Sequence, residues 1–197
     1  MKVAYAFGLR RRELVMLDLE DLGTNPHAPE FGGYGVLYVR WGKASRGGPP
    51  RRRSVLTVFG WSVEVLGEWV GTYRRLLATA ARSSAMWPSE RAARVDSSTM
   101  GARFASYRDA VGLPAESGLH CLRHSYVTHL IEGGYDPLFV QQQVGHSYAS
   151  TTALYTSVSS DFRTRTLRRV LDEQVARALS GATTGATTAA GGEGAPA

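Results

Sequence analysis

Residues 1–179 read as a mainly α domain with one small β-hairpin, an α+β fold. Apolar residues recur at helical spacing over 61–80, 99–111 and 120–133. Two runs rich in β-branched and aromatic residues, 36–43 and 53–58, flank a Gly/Pro-rich turn and make the hairpin. From Ser180 the chain reads SGATTGATTAAGGEGAPA, with one charge and no large apolar residue, so 180–197 is expected to be a disordered tail.

The elements follow in order. Val3 to Phe7 reads as a last helical turn closed by Gly8. A helix from Arg10 to Leu17 follows, with Leu9, Leu14 and Leu17 as its buried stripe and Arg10 three residues from Glu13, close enough to pair. Residues 23–35 form a Gly/Pro-rich loop. The hairpin comes next, with Arg40, Lys43, Arg46, Arg51, Arg52 and Arg53 on it or beside it. Such a cluster is either a solvated face or a nucleic-acid contact. Helix 61–80 should bury Val65, Leu66, Trp69, Val70, Tyr73, Leu76 and Leu77. Residues 82–98 connect, with a short strand at Ala85–Trp87. Ser97 or Ser98 caps helix 99–111, which ends near Gly112 before Pro114. Helix 120–133, the GGYDP turn, helix 138–144, a short helix carrying Tyr155 and a charged amphipathic helix 159–179 complete the domain.

The 197 residues suffice for one domain with a sizeable core. A net charge of +6 favours a polyanionic partner. A single cysteine, Cys121, excludes an intrachain disulfide framework and fits a reducing compartment, the cytoplasm. No apolar run reaches membrane-spanning length, and the N-terminus lacks a signal-peptide pattern. Lys2 and Lys43 are the only lysines among 23 basic residues. Arginine cannot release a proton in a protein and lysine can, so Lys43 within an arginine-rich hairpin is a candidate general acid.

The chemistry concentrates in residues 119–156, which hold four of the five histidines. His120 and Arg123 share a helical face, His146 follows Gly145 in a tight VGHS turn, and Tyr155 comes soon after. Arginine offers a planar donor fork to phosphate oxygens, histidine moves protons near neutral pH, and a tyrosine hydroxyl can be a covalent nucleophile. These are the parts needed to hold a phosphodiester and attack it. His120 and His124 could instead bind zinc, but Cys121 stands where a protease motif needs glutamate. No metal or other cofactor is therefore expected.

The order of these boxes resembles the catalytic domain of the tyrosine recombinases, the phage-integrase family. GLRRREL at 8–14 is similar to that family's first arginine box, WGK at 41–43 to its lysine hairpin, HCLRH at 120–124 to its H-x-L-R-H box, and VGHSYASTTALYT at 144–156 to its closing histidine and tyrosine box. The resemblance implies that Arg10 and Arg123 hold the non-bridging oxygens of a scissile phosphate. Lys43 would protonate the departing 5′ oxygen, and His120 would help move protons at the nucleophile. His146 would hydrogen-bond the phosphate, and Tyr155 would form a 3′-phosphotyrosyl link. Glu13 matches the acidic position that supports the first arginine. No ATP is implied, because the covalent step conserves the phosphodiester energy.

The resemblance also implies double-stranded DNA as partner and a homotetramer on paired sites; beside the phosphate chemistry, the basic cluster makes Arg40, Arg46, Arg51, Arg52 and Arg53 candidate DNA contacts. Three departures stand out, the largest at the start of the chain. Arg12 occupies a position usually small in the family, and the hairpin turn is longer than its commonest form. Family members carry a helical DNA-clamping domain before the catalytic one. Here nine residues precede Arg10, so that domain and part of the first helix are expected to be absent. Activity of such a chain alone is doubtful on this reading. Site-specific recombination leads, beside a non-catalytic DNA-binding remnant and type IB topoisomerase-like nicking and closing.

Overall fold

A computed structural model of the chain describes residues 1–44 and 47–145. These belong to one compact unit, Met1–Thr156. Arg46, His146, Tyr155, helix 159–179 and the tail 180–197 lie outside the described residues.

The chain enters through α1 (Lys2–Ala6) and turns at Gly8, whose φ of 55° lies in the left-handed region. A Cβ at Gly8 would stand 2.5 Å from Cδ1 of Tyr126, so both the backbone and the space demand glycine. Gly8→Ala is expected to cost roughly 2–5 kcal/mol from strain plus overpacking, measurable as a lowered urea midpoint at unchanged slope. Next, α2 (Arg11–Val15) starts at Arg10, whose backbone N–H donates to Glu13 Oε2 at 2.8 Å. Leu9, Leu14 and Leu17 are buried as their spacing implies.

The hairpin is real but shorter, and it has a third strand. β1 (Leu22–Gly23), β2 (Val36–Val39) and β3 (Arg53–Leu56) form an antiparallel sheet in that order. Leu37 pairs with Val55, and Val39 with Arg53. Leu37, Val39 and Val55 enter the core together with Phe7, Leu14 and Leu66. β1 is too short to show a period in sequence; it exists because Leu22 and Gly23 pair with Leu37 and Val36. Past the ladder, the Gly42 N–H still donates to the Arg51 carbonyl at 3.0 Å.

Helix 61–80 is not continuous. α3 (Trp61–Gly71) stops at Thr72, and 3-10 turns follow at Tyr73–Leu76 and Ala78–Arg82. Arg74 explains the change: its buried side chain donates to the Ala85 carbonyl at 3.0 Å and to the Ser83 carbonyl, drawing the chain onto the next loop. Tyr73 and Leu76 are consequently exposed rather than buried. The strand at 85–87 reduces to a bridge between Asp18 and Ala85.

α4 (Ser97–Ala110) is capped by Asp96 rather than by a serine; its carboxylate accepts from the Ser98 and Thr99 backbone N–H groups at 2.7 and 2.8 Å. α5 (His120–Glu132) turns Arg123, Tyr126, Val127, Leu130 and Ile131 inward. α6 (Pro137–Val144) has Pro137 in its first turn and Asp136 as cap, and Gly145 closes it at φ 62°. Among the described residues no helix is long and apolar enough to cross a membrane.

Candidate active site

The site begins with a cation the fold has buried. Arg123 is 2% exposed. One guanidinium nitrogen donates to the Gly8 carbonyl at 2.7 Å and another to the Val144 carbonyl. The Val144 carbonyl belongs to the last residue of α6, where the helix end carries partial negative charge, and the Gly8 carbonyl to the turn after α1. Glu13 Oε2 stands 3.9 Å away.

Glu13 is the hub. It is 2% exposed, on α2. Oε1 accepts from Arg10 Nη1 at 2.8 Å, so the sequence pair exists, but as a partly buried contact. Both carboxylate oxygens also accept from Arg53, Nη1 to Oε1 and Nη2 to Oε2, each at 2.8 Å. Burial disfavours the charged form, yet the hydrogen bonds and charge of Arg53, then of Arg10, outweigh it and hold the carboxyl at about 2. Three guanidiniums meet this one carboxylate, so a surplus of positive charge remains beside Arg10, whose side chain is 27% exposed.

His120 opens α5 on the exposed side. Its pKa lies below the ordinary histidine value, through partial burial and then the charges of His124, Arg123 and Arg10. The ring is therefore neutral at neutral pH and able to accept a proton. The His120 and His124 rings meet edge to face, centroids 4.7 Å apart. Among the described residues no third His, Cys, Asp or Glu completes a metal-binding group with them. The one tyrosine of α5, Tyr126, is buried, its hydroxyl has no hydrogen-bond partner among the described residues, and burial pushes its pKa up.

The fold thus gathers Arg10, Glu13 and Arg123, with His120 in their field. Lys43 is exposed just past the Gly42–Arg51 contact at the end of the hairpin. His146, Tyr155 and Arg46 lie outside the described residues.

The described hairpin arginines do not share one environment. Arg40 is held by Asp18 Oδ2 at 2.6 Å, Glu20 Oε1 at 2.9 Å and Asp21 Oδ1 at 2.6 Å. Asp18 also binds Arg94, which donates to the Val15 and Leu17 carbonyls at 2.9 Å and so closes the C-terminal end of α2. Arg53 is turned to Glu13 and is 11% exposed. These two guanidiniums face carboxylates. Arg51 and Arg52 are exposed, and Arg52 lines an open cleft of about 530 Å³ with Tyr38, Arg40 and Ser54.

Two residues of this network carry no clear signal in the sequence. Gln143, on α6, uses its side-chain amide as a strand would. It accepts from the Leu56 N–H at 2.8 Å and donates to the Leu56 carbonyl at 3.1 Å. Arg53 reads by its position as a surface charge, although alternation places it on the same strand face as buried Val55 and Thr57.

The chain is 36% identical to the tyrosine recombinase XerC of Mycobacterium tuberculosis over 162 residues, covering 81% of this chain and 48% of that protein. XerC of Mycobacterium sp. strain KMS is 34% identical over 160 residues with the same coverage. The chain therefore spans about half the length of these relatives. Among solved structures, XerA recombinase superposes with a TM-score of 0.65 at 24% identity, over 85% of this chain and 54% of that one. The Tn1549 transposon integrase bound to transposon right end DNA superposes with a TM-score of 0.63 at 18% identity, over 86% of this chain and 57% of that one. At these identities the structural likeness shows the fold, a tyrosine-recombinase catalytic domain. The family model of the phage integrase family matches residues 1–161, and the chain belongs to that family, the tyrosine recombinases.

Proposed function

We propose that this chain is the catalytic domain of a site-specific DNA strand transferase that cuts and rejoins duplex DNA through Tyr155. The observation that carries the proposal is the arginine group around Glu13, a preorganised positive site with more guanidinium than carboxylate. Such a site is complementary to the charge that develops on phosphoryl oxygens during transfer.

In this reading Arg10 and Arg123 bind the non-bridging oxygens of the scissile phosphate. The Tyr155 hydroxyl oxygen attacks phosphorus while the bond to the 5′ oxygen breaks. The phenol proton leaves by way of neutral His120, and the departing 5′ oxygen takes a proton from Lys43. His146 hydrogen-bonds the phosphate. Attack by a free 5′ hydroxyl on the phosphotyrosyl link reverses the step and rejoins the strand, with no nucleotide cofactor. Arg51, Arg52 and Arg46 supply backbone contacts from the hairpin. XerH has been solved bound to its difH substrate, which supports duplex DNA as the partner here, and a homotetramer on paired sites is the assembly proposed.

The test is a pool of 5′-labelled, nicked suicide duplexes with randomised sequence. Wild type should retain label as a covalent protein adduct on a denaturing gel, and Tyr155→Phe should lose it entirely. An adduct that survives Tyr155→Phe overturns the nucleophile. Salt-sensitive binding with no adduct at all would leave a DNA-binding remnant. Relaxation of supercoiled plasmid without sequence preference would make the chain a topoisomerase-like enzyme.

A further inference from the structure

The geometry points to Arg53 as a positioning residue for strand cleavage, one that ties the lysine hairpin, the first arginine box and the end of α6 into a single unit. The inference rests on the function proposed above and deepens it.

Arg53 spends its guanidinium inside the protein. Nη1 and Nη2 take both oxygens of Glu13 at 2.8 Å, and Nε donates to the Gln143 carbonyl at 2.9 Å. Its partners lie 40 and 90 positions away in the chain, on α2 and α6. No regular secondary structure could join these three places. Arg53 itself is the first residue of β3, paired with Val39 of β2. Past the end of this strand pair the Gly42 N–H donates to the Arg51 carbonyl, and Lys43 follows.

Two site residues, Arg10 and Arg123, are reached through others. Through Glu13, Arg53 fixes the carboxylate that holds Arg10 at 2.8 Å and stands 3.9 Å from Arg123. Through the Gln143 carbonyl it holds the last turn of α6, whose Val144 carbonyl grips Arg123. Gly145 follows, and a Cβ there would stand 2.9 Å from Arg53 Cδ. Glycine at 145 thus serves both the left-handed turn before His146 and the passage of the Arg53 side chain. A planar fork with a third donor suits this arrangement, and lysine, a single point of charge, cannot span it. A phosphate contact from Arg53 would require breaking these bonds.

Arg53→Lys keeps the charge and loses the fork; Arg53→Gln loses both. DNA affinity over a salt series, and adduct formation at saturating duplex pool, separate positioning from contact. Both variants should keep the wild-type affinity and salt slope. Arg53→Gln should form adduct about 100-fold more slowly, the order of loss that a misplaced catalytic group produces, and Arg53→Lys should fall between it and wild type. A salt slope shallower by about one counterion, with wild-type cleavage at saturation, would make Arg53 a phosphate ligand and overturn the inference. If wild type forms no adduct, the proposed function fails, and the positioning network is judged by NMR titration of the Glu13 carboxyl. Its midpoint should rise in both variants, and an unmoved midpoint sinks the inference. Should Arg53→Gln fail to fold, Arg53→Lys carries every arm.

Discussion

Replacing Glu13 by glutamine is expected to lower folding stability by roughly 3–5 kcal/mol, the cost of removing one partner from a buried ion group. The amide keeps the shape of the side chain, but Arg53 and Arg123 then lie buried near each other without the carboxylate. For a domain of ordinary stability, about 5–15 kcal/mol, that is a large fraction. The direction with pH follows from the depressed carboxyl. Glu13 sits at about 2 when folded against 4.5 as its ordinary value, a difference worth roughly 3 kcal/mol. This stabilisation is complete above pH 4.5 and is lost as pH falls through about 2. Urea melts of wild type should therefore weaken across that window, and those of Glu13→Gln should change less there. Equal pH slopes in the two proteins would refute the hub role. Cleavage should also slow by ~100-fold or more, since Arg10 loses the group that orients it.

Arg123→Lys is expected to be the most damaging change to chemistry, about 10³-fold or more in adduct formation at saturating DNA. An ammonium cannot reach the Gly8 and Val144 carbonyls together in the way the guanidinium does. One helix end would be left with an unpaired buried carbonyl, costing about 1–3 kcal/mol. The two effects separate experimentally. Urea melts read the structural cost, and single-turnover adduct formation, well below the melting temperature, reads the catalytic one. A variant destabilised to this extent but cleaving at the wild-type rate would show that Arg123 is purely structural.

Much of the site is legible in the amino-acid sequence. The helix that carries His120 and Arg123 forms where the spacing puts it, with Arg123 turned inward and His120 exposed. The Arg10–Glu13 pair is three residues apart, and it forms as α2 begins. Leu9, Leu14 and Leu17 are buried where periodicity puts them. The departures have specific causes. Helix 61–80 breaks because Arg74 finds carbonyl acceptors beyond its end, which apolar periodicity does not register. α4 begins on Asp96 because a carboxylate accepts two N–H groups in the place of a serine hydroxyl.

The arginines show most clearly where sequence stops. Six basic residues on one hairpin read as a single surface. The fold divides them: Arg40 goes to Asp18, Glu20 and Asp21, Arg53 goes to Glu13 and α6, and Arg51 and Arg52 stay exposed. Sequence alone determined the hairpin, the helices at 97–110, 120–132 and 137–144 and the order of the chemical groups, because those depend on neighbours three, four or two residues apart. Tertiary structure alone decided which cation faces which anion. A guanidinium's partner is chosen by what packing brings within about 3 Å, and for Arg53 and Arg123 those partners come from 21 to 115 positions away.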